Sequence, residues 1–180
     1  MSLSRIRQQF ADSIEQSMRS AELMPDAIAA AADRVVANLL EGGRIYTGGS
    51  LTGELLSLHF ASLLLGQGSE RPPLPALSLD TDSGRAAAML RAFAQNNDVL
   101  LLVMPTPTAA EQLIQAARDR DMRILLLHAA DDSRSAALLN DRDIRLAIPG
   151  EQPARITESA LLVLHTLCDH IEQQLFGDMI

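Results

Sequence analysis

The sequence contains no lysine and no tryptophan, and it has a single cysteine among its 180 residues. Without lysine there is no Walker A phosphate-binding residue and no Schiff-base nucleophile, which excludes P-loop NTPases, lysine aldolases and pyridoxal-phosphate enzymes. Cys168 cannot form an internal disulfide, and it has no thiol partners for a Cys/His zinc site. We predict no metal site and no cofactor, and we expect Cys168 to be a small core residue.

Positive charge and aromatic side chains are also scarce. The formal net charge is −8, and only 3% of the residues are aromatic. An acidic chain without a stacking platform is poorly suited to binding nucleic acid, so we predict no direct contact with DNA or RNA. No apolar run approaches the roughly 20 residues that a membrane span needs, and no signal-peptide pattern opens the chain. We therefore expect a cytoplasmic protein that does not bind membranes.

Short apolar runs alternate with helical patterns from residue 44 onward. Strands are predicted over residues 44–47, 76–79, 99–104, 123–128 and 144–148, and helices over about 53–65, 84–94, 109–120, 133–139 and 154–175. This alternation predicts an α/β fold, a three-layer αβα sandwich around a five-stranded parallel, flavodoxin-like sheet of order 2-1-3-4-5. We treat the chain as one domain, with a helical hairpin over 1–43, an αβα core over 44–150 and a closing helix over 151–180.

The two N-terminal helices and the long C-terminal helix are more helical surface than a five-stranded sheet requires. In the first helix, apolar residues recur every four positions at Ile6, Phe10, Ile14 and Met18. This surplus predicts an oligomer in which helices pack between subunits. The alternative is that all of these helices cover the chain's own sheet.

The site is expected where the strand order reverses, beyond the carboxyl ends of the first and third strands. Two loops meet there, and each leads into a helix N-terminus that can favour an anion. The weak candidates for ligand binding are Gly49, Ser50, Thr52, Thr106 and Thr108.

Other features of the same loops argue against a strong phosphate site. Pro105 and Pro107 remove amide donors. Thr108 and Glu111 fit a capping box, and Glu54 falls in the first turn after the first loop. We expect these carboxylates to satisfy the helix ends and to repel a phosphoryl group.

Several short stretches resemble the sugar isomerase (SIS) domain family, in the branch that holds phosphoheptose isomerases and the DnaA initiator-associating protein. They are Gly49 with Thr52, and the runs 59–61, 70–76, 79–82, 98–101, 120–122, 155–158, 167–169 and 175–176. The resemblance covers nearly the whole chain and implies the SIS fold and a homotetramer.

The sequence departs from that family at its motifs. The phosphate-binding serine of the family's first loop corresponds to Gly53, and its catalytic glutamate and histidine correspond to Leu63 and Ala160. Isomerisation moves protons between neighbouring carbons and needs a positioned acid and base. We therefore predict no catalytic residue, although His59, His165 and Glu54 remain possible substitutes.

The resemblance to the initiator-associating proteins implies a self-associating regulator that holds the replication initiator DnaA. Because the acid and base are missing, we expect it to be non-catalytic and not an enzyme. Leu175 and Phe176, an apolar pair near the C-terminus, are weak candidates for binding that partner, and packing between subunits is the alternative. Two other functions stay open: isomerisation of sedoheptulose 7-phosphate, and sensing of a sugar phosphate without turnover.

Overall fold

The computed structural model describes residues 3–66, 71–81 and 84–177, so Glu70 and Asp82, which carry part of the family resemblance, lie outside the described residues. The helices are α1 Leu3–Leu23, α2 Pro25–Leu40, α3 Thr52–Leu64, α4 Ala86–Phe93, α5 Pro107–Arg118, α6 Ser133–Ala136 and α7 Pro153–Phe176. The strands are β1 Ile45–Gly49, β2 Ala76–Ser78, β3 Val99–Val103, β4 Arg123–Ala129 and β5 Ile144–Ile148.

The five strands form one parallel sheet in the order β2-β1-β3-β4-β5. β3 lies at its centre, and all five of its residues are buried. Gly49 at the end of β1 pairs with Val103 at the end of β3, so the loops after these two strands leave the sheet side by side. The predicted α/β fold and strand order are confirmed.

Alternate residues of the strands feed two separate cores. Val99, Leu101 and Val103 of β3 pack in the core that α2, α3 and α7 cover. Leu100 and Leu102 pack in the core on the opposite face, under α4 and α5. The sheet is thus the middle of three layers, as continuous apolar strands require.

The three helices outside the alternating pattern differ in what they cover. α2 buries Ala31, Ala32 and Val35 against the sheet, and α7 buries an entire stripe. α1 buries only Ser20, while its apolar side chains are exposed. The alternative that the helices cover their own sheet is therefore correct for α2 and α7, and it does not describe α1.

Among the described residues, no helix combines the length and the apolar character needed to cross a membrane.

Candidate functional site

Two loops at the carboxyl edge of the sheet are joined by Ser50. The amide of Thr106 donates to Ser50 Oγ at 3.0 Å, which ties the loop after β3 to the loop after β1. The packing is close: a Cβ on Gly53 would lie 2.1 Å from the carbonyl oxygen of Val103. Gly53 therefore serves a structural need, because any larger residue would push the start of α3 away from β3.

The first loop reaches α3 through Leu51, whose φ is 54° and ψ is −119°. A residue with a side chain is rare in this region, and holding one there stores strain. The amide of Gly53 donates to Ser50 O and that of Glu54 to Leu51 O, so these two donors are used within the turn. Thr52, which opens α3, is exposed to solvent.

The second loop does not form the predicted capping box between Thr108 and Glu111. Thr106, not Thr108, is the N-cap of α5, and its hydroxyl accepts a hydrogen bond from the amide of Ala109 at 3.4 Å. Pro107 has its φ fixed near the helical value, which starts the helix two residues earlier than predicted. Thr108 and Glu111 thus lie inside α5, and no acidic residue occupies its first turn. The predicted repulsion by Glu111 at this helix end is wrong.

The loops therefore present hydroxyl groups. Thr52, Thr106 and Thr108 are exposed, while Ser50 is 7% exposed and Gly49 lies beneath them at the end of β1. The described geometry places all five predicted ligand-binding residues together, at the N-termini of α3 and α5.

A pair of histidines lies farther along the same side of α3. His59 Nε2 and His165 Nε2 are 2.8 Å apart, and their rings meet edge to face with centroids separated by 5.1 Å. At that distance one imidazole donates to the other. The sequence analysis weighed these residues one at a time, because 106 positions separate them and no local pattern signals their contact.

The position of His59 relates the pair to the loops. Seven residues separate Thr52 from His59, which is about 10 Å along a helix and nearly two full turns, so both lie on one face of α3. Glu54 lies about 140° around the axis from His59 and is not part of this face. Leu63 follows His59 on the same face, whereas Ala160 is fully buried.

Exposed leucines lie within about one helical turn of each histidine along α3 and α7. Leu55 is 69% exposed and Leu58 is 54% exposed on α3, and Leu162 on α7 is 46% exposed. Single exposed leucines are common, but several around two polar rings form an apolar border. A surface that covers these leucines would also shield the imidazoles from water.

A third histidine is buried beneath the carboxyl edge of the sheet. His128 in β4 is 1% exposed, and its Nε2 accepts a hydrogen bond from Arg145 Nε at 2.8 Å. Burial, together with the Arg145 guanidinium, holds the pKa of His128 below its usual value, while Asp132 opposes this shift. His128 is thus a neutral core residue and not part of the exposed histidine pair.

The two residues near the C-terminus that were predicted to bind a partner differ in burial. Leu175 packs partly against the larger core, and Phe176, the last residue of α7, is 41% exposed. No group of three or more His, Cys, Asp and Glu suited to a metal ion occurs within residues 3–66, 71–81 and 84–177.

No protein-family model matches the chain. Individual proteins do. The phosphoheptose isomerase of Chromohalobacter salexigens is 37% identical over 97% of this chain and 96% of its own length, and that of Shewanella oneidensis is 35% identical over the same shares. This chain belongs to the phosphoheptose isomerase family. The structure of the Francisella tularensis phosphoheptose isomerase agrees, with 30% identity and a TM-score of 0.88 over 96% of this chain and 99% of that one.

A second phosphoheptose isomerase structure, from Neisseria gonorrhoeae, gives a TM-score of 0.82 at 27% identity over 94% of this chain and 98% of that one. The sugar isomerase domain of an RpiR transcription factor from Sphaerobacter thermophilus is only 16% identical and shares the fold. The resemblance to the SIS family is confirmed.

Membership of the phosphoheptose isomerase family corrects the main functional expectation. The prediction of a non-catalytic regulator that holds DnaA is wrong, because relatives matching nearly the full length carry the name of an enzyme. The sequence analysis gave most weight to Leu63 and Ala160, and it considered His59 and His165 only as separate substitutes. Titratable side chains stand one turn from Leu63, as the contact of His59 with His165 demonstrates.

Proposed function

We propose that this chain is a sugar-phosphate isomerase of the phosphoheptose type, which interconverts the aldose and ketose forms of a phosphorylated heptose. The observation that carries the proposal is the 2.8 Å contact between His59 Nε2 and His165 Nε2. Imidazole titrates near neutral pH and is the commonest general acid and base.

The distances suit a substrate with its phosphate at one end. The loop hydroxyls and the start of α3 are the proposed phosphate subsite, and the carbonyl end of the sugar lies about 10 Å farther along α3, at His59. Since the loops contribute no lysine or arginine, the phosphate is held by neutral donors, and we expect weak binding.

The proposed reaction needs no oxidant and no second substrate. A neutral imidazole removes the proton from the carbon next to the carbonyl, and an enediol forms as the carbonyl oxygen gains a proton. The proton then returns to the neighbouring carbon, and the hydroxyl proton leaves the other oxygen. The paired rings supply both functions, since one accepts the carbon-bound proton while the other donates to oxygen.

Binding without turnover is the second candidate. The aliphatic side chains of Leu63 and Ala160, at the positions where the resemblance implies the acid and base, favour it. A chain that kept the phosphate subsite and lost the chemistry would act as a sensor of the same ligand.

Exchange of substrate hydrogen with solvent separates the two candidates. Purified protein incubated with sedoheptulose 7-phosphate in D2O should incorporate deuterium at the carbon next to the carbonyl, detected by NMR. His59→Gln and His165→Gln should slow this exchange by about 10²–10⁴-fold. His170→Gln, on the same helix and outside the pair, is the control.

If no deuterium exchange is found, calorimetric titration with sedoheptulose 7-phosphate shows whether the protein still binds the ligand. Heat of binding without deuterium exchange would establish the sensor and refute the isomerase. Neither binding nor exchange would refute both.

We further propose that the protein is cytoplasmic and forms a tetramer. In this tetramer, the exposed leucines near His59 and the exposed face of α1 are buried between subunits. Sedimentation velocity of the purified chain tests the association.

A further inference from the structure

A strained turn connects β1 to α3. The amide of Gly53 donates to Ser50 O at 2.9 Å, which closes a four-residue turn with Leu51 and Thr52 at its centre. With φ 54° and ψ −119° at Leu51, the turn is of type II′. The first central position of such a turn is ordinarily glycine, because a residue with a side chain is strained there. Leu51 therefore occupies a glycine position.

The side chain of Leu51 lies mostly in water. It is 78% exposed, the largest exposed fraction of any large apolar side chain that the structure describes. Burial within the chain therefore does not offset the backbone strain. Residues held in strained conformations cluster at binding sites, where the strain is part of the function. The strain and the exposure together indicate that the side chain of Leu51 contacts a group outside the chain.

Leu51 lies between two hydroxyl residues of the proposed phosphate subsite. Ser50, before it, accepts the hydrogen bond from the Thr106 amide, and Thr52, after it, opens α3 and is exposed. Free phosphate offers no apolar surface to a leucine. A sugar phosphate carries C–H groups next to its phosphate ester, and covering them removes apolar surface from water. The carbon chain of a phosphate ester is thus the group that suits an exposed leucine at this position.

Exposed leucines continue from Leu51 toward the histidine pair. Leu55 lies one turn farther along α3 and Leu58 nearly one turn beyond it, and they are 69% and 54% exposed. Leu55 lies about 40° around the helix axis from His59 and about 60° from Thr52. The three leucines therefore border the path between the loop hydroxyls and His59.

We propose that Leu51 is a specificity-determining residue of the sugar-phosphate site, whose side chain packs against the carbon chain of the bound sugar phosphate. The strained turn fixes the backbone of Leu51 before the ligand arrives, which lowers the entropy lost on binding. Apolar contact then discriminates a phosphate ester from free phosphate. Because the two loops carry no lysine or arginine, this contact supplies an important share of the affinity.

This inference rests on the proposed function and deepens it. If the wild-type protein neither binds sedoheptulose 7-phosphate nor exchanges its hydrogen, the proposed function and the inference both fail. If the wild-type protein binds this ligand and removal of the Leu51 side chain changes nothing, the inference alone fails.

Leu51→Gly removes the apolar contact and keeps the turn, because glycine adopts this backbone conformation without strain. We expect the dissociation constant for sedoheptulose 7-phosphate to rise about tenfold. The dissociation constant for inorganic phosphate should change less than about twofold, since that ligand has no carbon chain to lose contact with. Calorimetric titration with each ligand measures both. Leu51→Met, which keeps an apolar side chain of similar size, should retain the wild-type affinity.

Two control variants separate the contact from other effects. Asp121→Gly removes a side chain at another residue with positive φ, 55°, which precedes β4 at the opposite edge of the sheet. Leu40→Ala truncates a leucine that is 75% exposed at the end of α2. Both should bind sedoheptulose 7-phosphate as the wild-type protein does.

The thermal midpoint of unfolding completes the test. In Leu51→Gly it should stay unchanged or rise, because strain is relieved and no buried contact is lost. A fall would show that the Leu51 side chain stabilises the fold, and it would overturn the inference. Unchanged affinity of Leu51→Gly for sedoheptulose 7-phosphate, an equal loss of affinity for inorganic phosphate, or a tenfold loss in Leu51→Met would also overturn it.

Discussion

α1 and α7 carry the same sequence pattern and use it in opposite ways. Apolar residues recur every three or four positions in both helices. In α7, Ile156, Ala160, Val163, Leu167 and Ile171 are at most 5% exposed. The apolar stripe of α1 is at least 56% exposed at every member: Leu3, Ile6, Phe10, Ile14 and Met18. Periodicity thus tells that a helix has an apolar face, and it does not tell what covers that face.

The difference lies in the residues between the apolar ones. α1 places Ser13, Gln16 and Ser20 toward its own chain, where they hydrogen-bond to residues outside the helix. α7 has its apolar stripe pointing into the core beneath β4 and β5. α1 thus satisfies its polar groups inward and leaves its apolar side chains exposed.

The largest expected contrast is in thiol reactivity. Burial, followed by the nearby Glu172 carboxylate, raises the pKa of Cys168 to about 12. At pH 8 its thiolate fraction is on the order of a thousandfold below that of an exposed cysteine with the usual pKa. Native protein should leave Cys168 unlabelled by Ellman's reagent, while an Arg19→Cys variant, at an exposed position of α1 outside its apolar face, should react at once. Fast labelling of Cys168 without denaturant would show that the α7 core opens readily.

Core truncation should give the next largest effect. Leu167→Ala removes a fully buried side chain, and we expect the free energy of unfolding to fall by ~2–5 kcal/mol. Ile14→Ala should change it by no more than ~0.5 kcal/mol, because its side chain is 62% exposed. Urea denaturation at low protein concentration measures both. Equal losses in the two variants would refute the contrast between the stripes.

The smallest expected effect is the pH dependence of stability that the buried His128 produces. Burial and the Arg145 guanidinium lower the pKa of His128 in the folded protein. Below about pH 6.5, His128 therefore binds a proton in the unfolded chain while it stays neutral in the folded chain, and this favours unfolding. Stability should therefore be full above that pH and should fall as pH decreases toward the lowered pKa.

One variant isolates the contribution of His128. His128→Asn should flatten this part of the stability curve between pH 7 and 5. Urea midpoints across the pH range give the comparison. An unaltered slope in His128→Asn would assign the acid sensitivity to other groups.

Much of the fold was predictable because local patterns encode it. Apolar runs such as Val99–Val103 marked the strands, and their spacing by helices predicted a parallel sheet in the observed order. The loops holding Ser50 and Thr106 were also found, since parallel strands end at a common edge. The start of α5 was misplaced by two residues, because Pro107 was counted as a lost donor and not as a first helical residue.

The site was only partly predictable. Leu63 and Ala160 are aliphatic, and they occupy the positions where the family resemblance implies the acid and base. The prediction of no catalytic residue was therefore drawn from these two motif positions. The contact between His59 and His165 joins residues on α3 and α7, and it depends on how these two helices cross. Such pairs have no signature in the sequence, since the separation along the chain carries no information about the separation in space.

The sequence alone determined the sheet, its order and the edge where the loops meet, because alternation, apolar runs and turn residues are local properties. It also determined that α1 and α7 each have an apolar face. Only the tertiary structure decided that the face of α7 is buried and that of α1 is exposed. That choice depends on packing and hydrogen bonds between helices distant in the chain, which no local pattern records.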